Sequence, residues 1–200
     1  MKNEEDPMEI YRNEYILKDG QKFIVRNPEE GDAQALINQM KTIDTETKFL
    51  AREPGEFNFS LEQEIEFIRN SMSHDNGRFL VGEIDGRIVA NCSVGVVTNN
   101  KRFLHRAAMG IAIIKDYWSK GIGKILMQEC INWCKEKGIE QLELEVVTQN
   151  NRAFSMYKNL GFQIYGTKKH ALKYADGTYA DEYYMILFLD GNKTGVTVIL

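Results

Sequence analysis

Ile111-Ala-Ile-Ile-Lys-Asp-Tyr-Trp-Ser-Lys-Gly-Ile-Gly-Lys-Ile-Leu126 is the stretch on which the reading of this chain turns. An apolar run of strand length stops at a polar, aromatic turn, and a Gly-x-Gly pair then opens a segment with helical spacing. A strand, a turn and a helix N-terminus in that order present unpaired N–H groups and the positive end of a helix dipole, a combination that favours a phosphate.

Three readings compete for Lys120 to Lys124. A Walker loop needs GxxxxGK followed by Ser or Thr, but Trp118 stands at the first glycine and Ile125 at the hydroxyl. A dinucleotide fingerprint needs a third glycine where Leu126 stands, and it follows the first strand of a βαβ unit, whereas hairpins precede this turn. The remaining alternative is that Gly121 and Gly123 only mark a helix start packed close to a neighbour.

Working outward, Tyr15 to Val25 around Asp19-Gly20 reads as a hairpin. Leu36, Ile37, Met40 and Ile43 recur at helical spacing, and a loop carrying Glu53, Pro54, Gly55, Glu56, Phe57 and Phe59 follows. Ser60 with Gln63 resembles a capping box before a second helix with Leu61, Ile65, Ile68 and Met72 on one face. Phe79 to Glu83 and Ile88 to Val97 form a second hairpin about Asp85-Gly86, and Ala107 to Ile114 is the next strand. The helix from Gly121 carries Ile122, Ile125, Leu126, Cys130, Trp133 and Cys134 and stops at Gly138. Leu142, Leu144 and Val146 alternate with Glu143 and Glu145 in a half-polar strand. Asn150 or Asn151 caps a short helix ending at Gly161, Phe162 to Thr167 is a strand, and Tyr183 to Leu189 closes the sheet beyond Asp176-Gly177.

The 200 residues are 43% hydrophobic and 27% charged, which suits one sizeable core. A single domain is expected over residues 11–189, with 1–10 a loose lead-in and 190–200 an unassigned tail. A net charge of -4 disfavours a general nucleic-acid binder. No apolar run approaches the roughly 20 residues of a bilayer span, and no signal-peptide core opens the sequence. A cytoplasmic protein without membrane or nucleic-acid partners is expected, with a homodimer left open. Cys92, Cys130 and Cys134 form no CxxC pair and read as free, buried thiols. His74, His105 and His170 show no ligand spacing, so no metal is expected.

A second motif decides among the readings of the glycine turn. Asn150-x-x-Ala153-x-x-x-Tyr157-x-x-x-Gly161-Phe162 follows it after one helix and one strand. The two motifs in this order resemble the Gcn5-related N-acetyltransferase (GNAT) superfamily, over residues 21 to 189 in element order and most strongly over Ile111 to Phe162. The resemblance implies an α+β fold, a splayed mixed β-sheet flanked by helices and parted at the cofactor site between the family's fourth and fifth strands. It implies acetyl-CoA as co-substrate, with the pyrophosphate on Ser119, Lys120, Gly121, Ile122, Gly123 and Lys124, the pantetheine along Ile111, Ala112 and Ile113, and Asn150 touching the cofactor arm. Asn150 is equally accounted for as a helix N-cap. Many members have Arg or Gln, then Gly, at the positions of Trp118 and Ser119; Lys120 and Lys124 are the candidates to supply the missing charge.

Acetyl transfer to an amine needs a neutral nucleophile, an oxyanion site and a proton for the departing thiolate. Tyr157 matches the family tyrosine near the thioester sulfur and is the candidate general acid. Glu145 lies where the branch resembling ribosomal-protein N-terminal acetyltransferases carries a glutamate acting through water. Glu143 shares its strand face, so a carboxylate pair able to raise one pKa is expected there, and His105 is a second candidate base. The oxyanion is expected at a backbone N–H near Ile113. The acceptor region implied by the family supplies Glu46, Glu53, Glu56, Phe57, Asp181, Glu182 and Tyr183, carboxylates beside aromatics that suit a cationic amine. Acetyl transfer to a primary amine by direct attack is therefore expected. A catalytically silent CoA-binding module and a nucleotide-binding protein are the alternatives.

Overall fold

The computed structural model describes residues 11–73 and 75–189. The expected lead-in, the tail and His74 lie outside them. The chain runs β1 (Arg12–Ile16), β2 (Lys22–Arg26), α1 (Ala33–Glu46), α2 (Leu61–Ser73), β3 (Gly77–Ile84), β4 (Arg87–Val96), β5 (Arg106–Ile113), α3 (Ile122–Glu136), β6 (Gln141–Val147), α4 (Asn151–Asn159), β7 (Gln163–Lys173) and β8 (Tyr179–Phe188). The eight strands form one sheet in the order β1-β2-β3-β4-β5-β6-β8-β7. Every neighbouring pair is antiparallel except β5 and β6, which run parallel. This is the mixed, helix-flanked sheet that the sequence implies; because β1 and β2 both precede the first helix, the parted strands are the fifth and sixth in chain order.

Alternation along the strands divides the core in two. Leu80 joins Leu126, Cys130, Trp133 and Leu142 beneath α3, while Phe79 and Val81 face Leu36 and Ile68 of α1 and α2. Helices α3 and α4 therefore cover one face and α1 and α2 the other. Local chemistry fixes the helix ends. Ser60 and Gln63 cap α2 reciprocally, Ser60 N donating to Gln63 Oε1 at 2.8 Å and Gln63 N to Ser60 Oγ at 3.2 Å. Gly138, with φ +68°, ends α3.

The last hairpin is longer than expected. The sequence predicts strands over Phe162 to Thr167 and Tyr183 to Leu189; the structure extends the pairing of β7 and β8 as far as Lys173 with Tyr179, with register shifts between Ile164 and Gly166 and between Lys168 and Leu172. His170 sits at φ +51° in the second of these irregularities.

Candidate active site

The site originates where β5 and β6 separate. They pair only at Arg106 with Gln141, Ala107 with Leu142 and Ala108 with Glu143. Arg106 holds this closed end: its Nε and Nη2 donate to the two Glu143 carboxylate oxygens at 2.6 and 2.9 Å, and the Tyr165 hydroxyl donates to Oε2 at 3.1 Å. Beyond Ala108 the strands diverge around a cleft of about 880 Å³ that passes through the sheet.

Hydrogen-bond parity decides what β5 shows to this cleft. Ile114 N donates to Val89 O at 3.0 Å, so Ile114 and Val89 form a bonded pair, as do Ala112 and Asn91 two residues on. The N–H and C=O of Ile111 and Ile113 therefore point away from β4, toward the cleft, whereas those of Ala112 serve β4. Trp118 takes one of these groups, its indole N–H donating to Ile113 O at 2.8 Å. The N–H of Ile113 stays available at the mouth of the splay.

At the other end is the helix start. Gly121 caps α3 in the left-handed region, φ +93°, and the first return bond of the helix is Ile125 N to Gly121 O at 3.2 Å. Among the described residues, the N–H groups of 119 to 124 find no backbone acceptor, forming a cradle of the kind that holds a phosphate. Ser119 also occupies the left-handed region, φ +63°, a conformation glycine adopts without strain. A Cβ on Gly123 would meet Met156 Sδ at 2.9 Å and Ile113 Cδ1 at 3.5 Å, so α3 can approach α4 only with glycine there.

The side chains of this end are arranged differently from the sequence expectation. Lys120 is turned away, its Nζ 2.9 Å from Asp19 and 2.7 Å from Gln21 on the first hairpin, and the side chain of Ile122 is buried in the core. Lys124 lines the cleft. The second cation there is Arg152, which the sequence reading passed over: its guanidinium lies 4.2 Å from the centre of the Trp118 ring and it lines the cleft beside Asn150 and Ala153. The signal was present, because Arg152 lies inside the second motif, in one of its variable positions. Asn150 Oδ1 accepts from Ala153 N at 3.2 Å, so Asn150 is the N-cap of α4 while also lining the cleft.

Two titratable groups enter from opposite faces of the sheet. Tyr157 comes from α4, only 6% exposed yet lining the cleft, and burial pushes its hydroxyl up to about 12. Glu145 comes from the α1–α2 side and is exposed. The expected Glu143–Glu145 pair is not found: the Arg106 guanidinium holds Glu143 below its usual range. Glu145 instead has Glu182 as its diagonal neighbour on the same face in the β6–β8 register, where Glu182 faces Val147 and Tyr184 faces Glu145. Burial, then the adjacent Glu145 carboxylate, raise Glu182. His105 immediately precedes β5, six residues before Ile111 and roughly 20 Å from it at ~3.3 Å per residue of extended chain. That position, beside Glu140 and Gln141, removes it as a base for this cleft.

The carboxylates of the acceptor region largely secure loops. Glu46 accepts from Lys115 N at 2.7 Å, Glu53 from Ala175 N at 3.0 Å, Glu56 from Glu53 N at 2.8 Å and Asp181 from His170 N at 2.9 Å. Among the described residues no group of His, Cys, Asp and Glu side chains has the arrangement of a metal site, and no helix is long and apolar enough to cross a membrane.

A split parallel pair, a bare helix N-terminus beside it and a buried tyrosine at the divergence are the features expected of an acyl-CoA transferase, and comparison with known proteins gives the family. The chain belongs to the acetyltransferase (GNAT) family, whose model matches residues 38–162; members are acetyl-CoA-dependent N-acetyltransferases. It is 37% identical over 111 residues to an L-amino acid N-acetyltransferase of Escherichia coli, covering 53% of this chain and 65% of that protein. It is 30% identical over 105 residues to a putative ribosomal protein bS18-alanine N-acetyltransferase of Bacillus subtilis, covering 52% and 64%. In both cases the match spans just under two thirds of the relative. Among solved structures, a GNAT-family acetyltransferase from Streptococcus pneumoniae superposes with a TM-score of 0.78 at 28% identity, over 83% of this chain and 99% of that one. A putative acetyltransferase from Salmonella typhimurium, solved with acetyl-CoA, shares the fold with a TM-score of 0.73 at 17% identity, over 86% and 96%.

Proposed function

We propose that the protein transfers the acetyl group of acetyl-CoA to the primary amine of a small molecule or a protein N-terminus, by direct attack within a ternary complex. The observation that carries this reading is the cleft through the sheet, with Tyr157 entering from one face and Glu145 from the other. The phosphates belong on the N–H groups of 119 to 124, with Lys124 and Arg152 adding charge. The pantetheine arm belongs along the outward N–H and C=O groups of Ile111 and the N–H of Ile113, replacing the strand partner that β6 ceases to provide.

The reaction follows from these positions. Glu145, through water, takes a proton from the acceptor ammonium and frees the nitrogen lone pair. The nitrogen attacks the thioester carbonyl carbon, and the oxyanion meets the Ile113 N–H. As the C–S bond breaks, Tyr157 gives its proton to the departing thiolate sulfur. Glu145 releases its first proton through water to solvent and then takes the extra proton of the amide nitrogen by the same route, and Tyr157 is reprotonated from solvent. A tyrosine pushed up to about 12 still holds its proton at neutral pH. The three cysteines are buried at 0% exposure and form no part of the cleft lining, so an acyl-cysteine route has no nucleophile here.

The test is Tyr157→Phe. Turnover is expected to fall by on the order of 100-fold or more, with the Kd for acetyl-CoA, measured by calorimetry, nearly unchanged. Equal losses in turnover and affinity would assign the residue to packing alone.

A further inference from the structure

We infer that the acceptor is a small amine that also carries a carboxylate, an amino acid, and that Arg52 holds that carboxylate while Glu145 serves the amine. This rests on the acetyl-transfer reading above and narrows its substrate class. The cleft is floored at its acceptor end by α1 and the loop that follows it, with Met40, Phe49, Leu50 and Arg52 among its walls. Arg52 also lines the adjoining 470 Å³ hollow under the last hairpin, beside Leu172 and Tyr174. It is thus the cation standing where the two cavities meet.

Its guanidinium is prepositioned. Asp44, at 1% exposure, accepts from Arg52 Nε at 3.3 Å and from Nη2 at 3.0 Å. The Phe57 ring packs on the guanidinium at 5.1 Å. Of the five N–H bonds of a guanidinium, two are used by Asp44, and the rest have no acceptor among the described residues. A one-third-exposed arginine fixed along one edge and stacked on one face has lost little more freedom to lose on binding, and its open edge matches a carboxylate in a two-point contact.

The surrounding charges favour a zwitterion over a polycation. Glu46, Glu53 and Glu56 each spend an oxygen on a backbone N–H that fixes a loop. The carboxylate that lines the transfer cleft without such a bond is Glu145, on β6, while Arg52 lines it from the loop after α1. An amine near Glu145 with its own carboxylate toward Arg52 satisfies both walls. A polyamine leaves the arginine facing a like charge.

The experiment compares matched acceptors on the wild-type protein: leucine and methionine against leucinamide and methioninamide, following CoA release from acetyl-CoA. The free acids are expected to have kcat/KM at least about tenfold higher, the scale of one hydrogen-bonded charge pair. In Arg52→Lys, which leaves Asp44 a cationic partner, that preference is expected to shrink through KM with kcat little changed. Equal use of acids and amides by the wild type overturns the inference and leaves acetyl transfer standing. If no acceptor is turned over, calorimetry of the CoA-loaded protein with N-acetylleucine and N-acetylleucinamide decides it separately: tighter binding of the acid supports the carboxylate site, and equal or absent binding of both overturns it.

Discussion

The two ends of the cleft are built from different materials. The end proposed for the cofactor is backbone: the N–H groups of 119 to 124 ahead of α3 and the outward peptide groups of Ile111 and Ile113 on β5. The proposed acceptor end is side chain, with Arg52 from a loop and Glu145 from β6 lining the cleft and Glu182 of β8 diagonal to Glu145. Backbone groups are placed by the fold itself and tolerate change in the residues that carry them. Trp118 and Ser119 illustrate this: an unusual tryptophan and a serine at φ +63° leave the turn geometry in place. Side-chain groups are placed by each residue separately, so specificity belongs to that end. Substitutions at the first end should therefore act on CoA affinity, and those at the second on the amine and on pH dependence.

The largest effect is expected from Gly123→Asp. Its Cβ must displace Met156 from 2.9 Å, and its charge opposes both the dipole and the phosphates. CoA affinity by calorimetry should fall by on the order of 100-fold in a protein whose circular dichroism shows it folded. Normal affinity would move the phosphate site elsewhere.

At the acceptor end, Glu182→Gln should lower turnover by roughly tenfold and leave CoA affinity alone. The sign of its pH effect follows from the raised Glu182 carboxyl. A raised acid keeps its proton to higher pH, so a step that needs the Glu182 carboxyl ionised is reached late. Removing it should carry the acid limb of the kcat profile to lower pH. An unmoved limb would show that the two carboxyls act independently.

Smaller shifts should separate charge from geometry at the cofactor end. Arg152→Ala is expected to weaken CoA binding by about fivefold, near 1 kcal/mol for a partly solvated cation, with the loss fading at high salt. A salt-independent loss would mean that stacking on Trp118 was the contribution. Ser119→Gly relieves a left-handed serine and should change stability by under about 1 kcal/mol, the gain offset by greater freedom in the unfolded chain; a measurable drop in Tm would show the serine side chain to be holding the turn.

The same contrast explains what the sequence disclosed. The glycine turn and the Asn150-to-Phe162 segment are contiguous, so their order and spacing survive as text, and the split sheet followed from them. The carboxylate pair did not. Alternation within one strand offers Glu143 as the neighbour of Glu145, but the cross-strand register that brings Glu182 alongside, and Arg106 to Glu143, exists only once β5, β6 and β8 have paired. His105 failed for a related reason: residues close in sequence can still be held at opposite ends of an extended segment. Arg52 was hidden among acidic loop residues whose backbone hydrogen bonds only the folded loops reveal.

The most direct measurement of the central claim is the initial rate of CoA release as acetyl-CoA and a primary amine are varied together. Direct transfer in the cleft predicts amine-dependent release with intersecting double-reciprocal lines. Parallel lines would contradict it by requiring an acetyl-enzyme, and CoA binding without release across a broad amine panel would contradict it by leaving only a binding module.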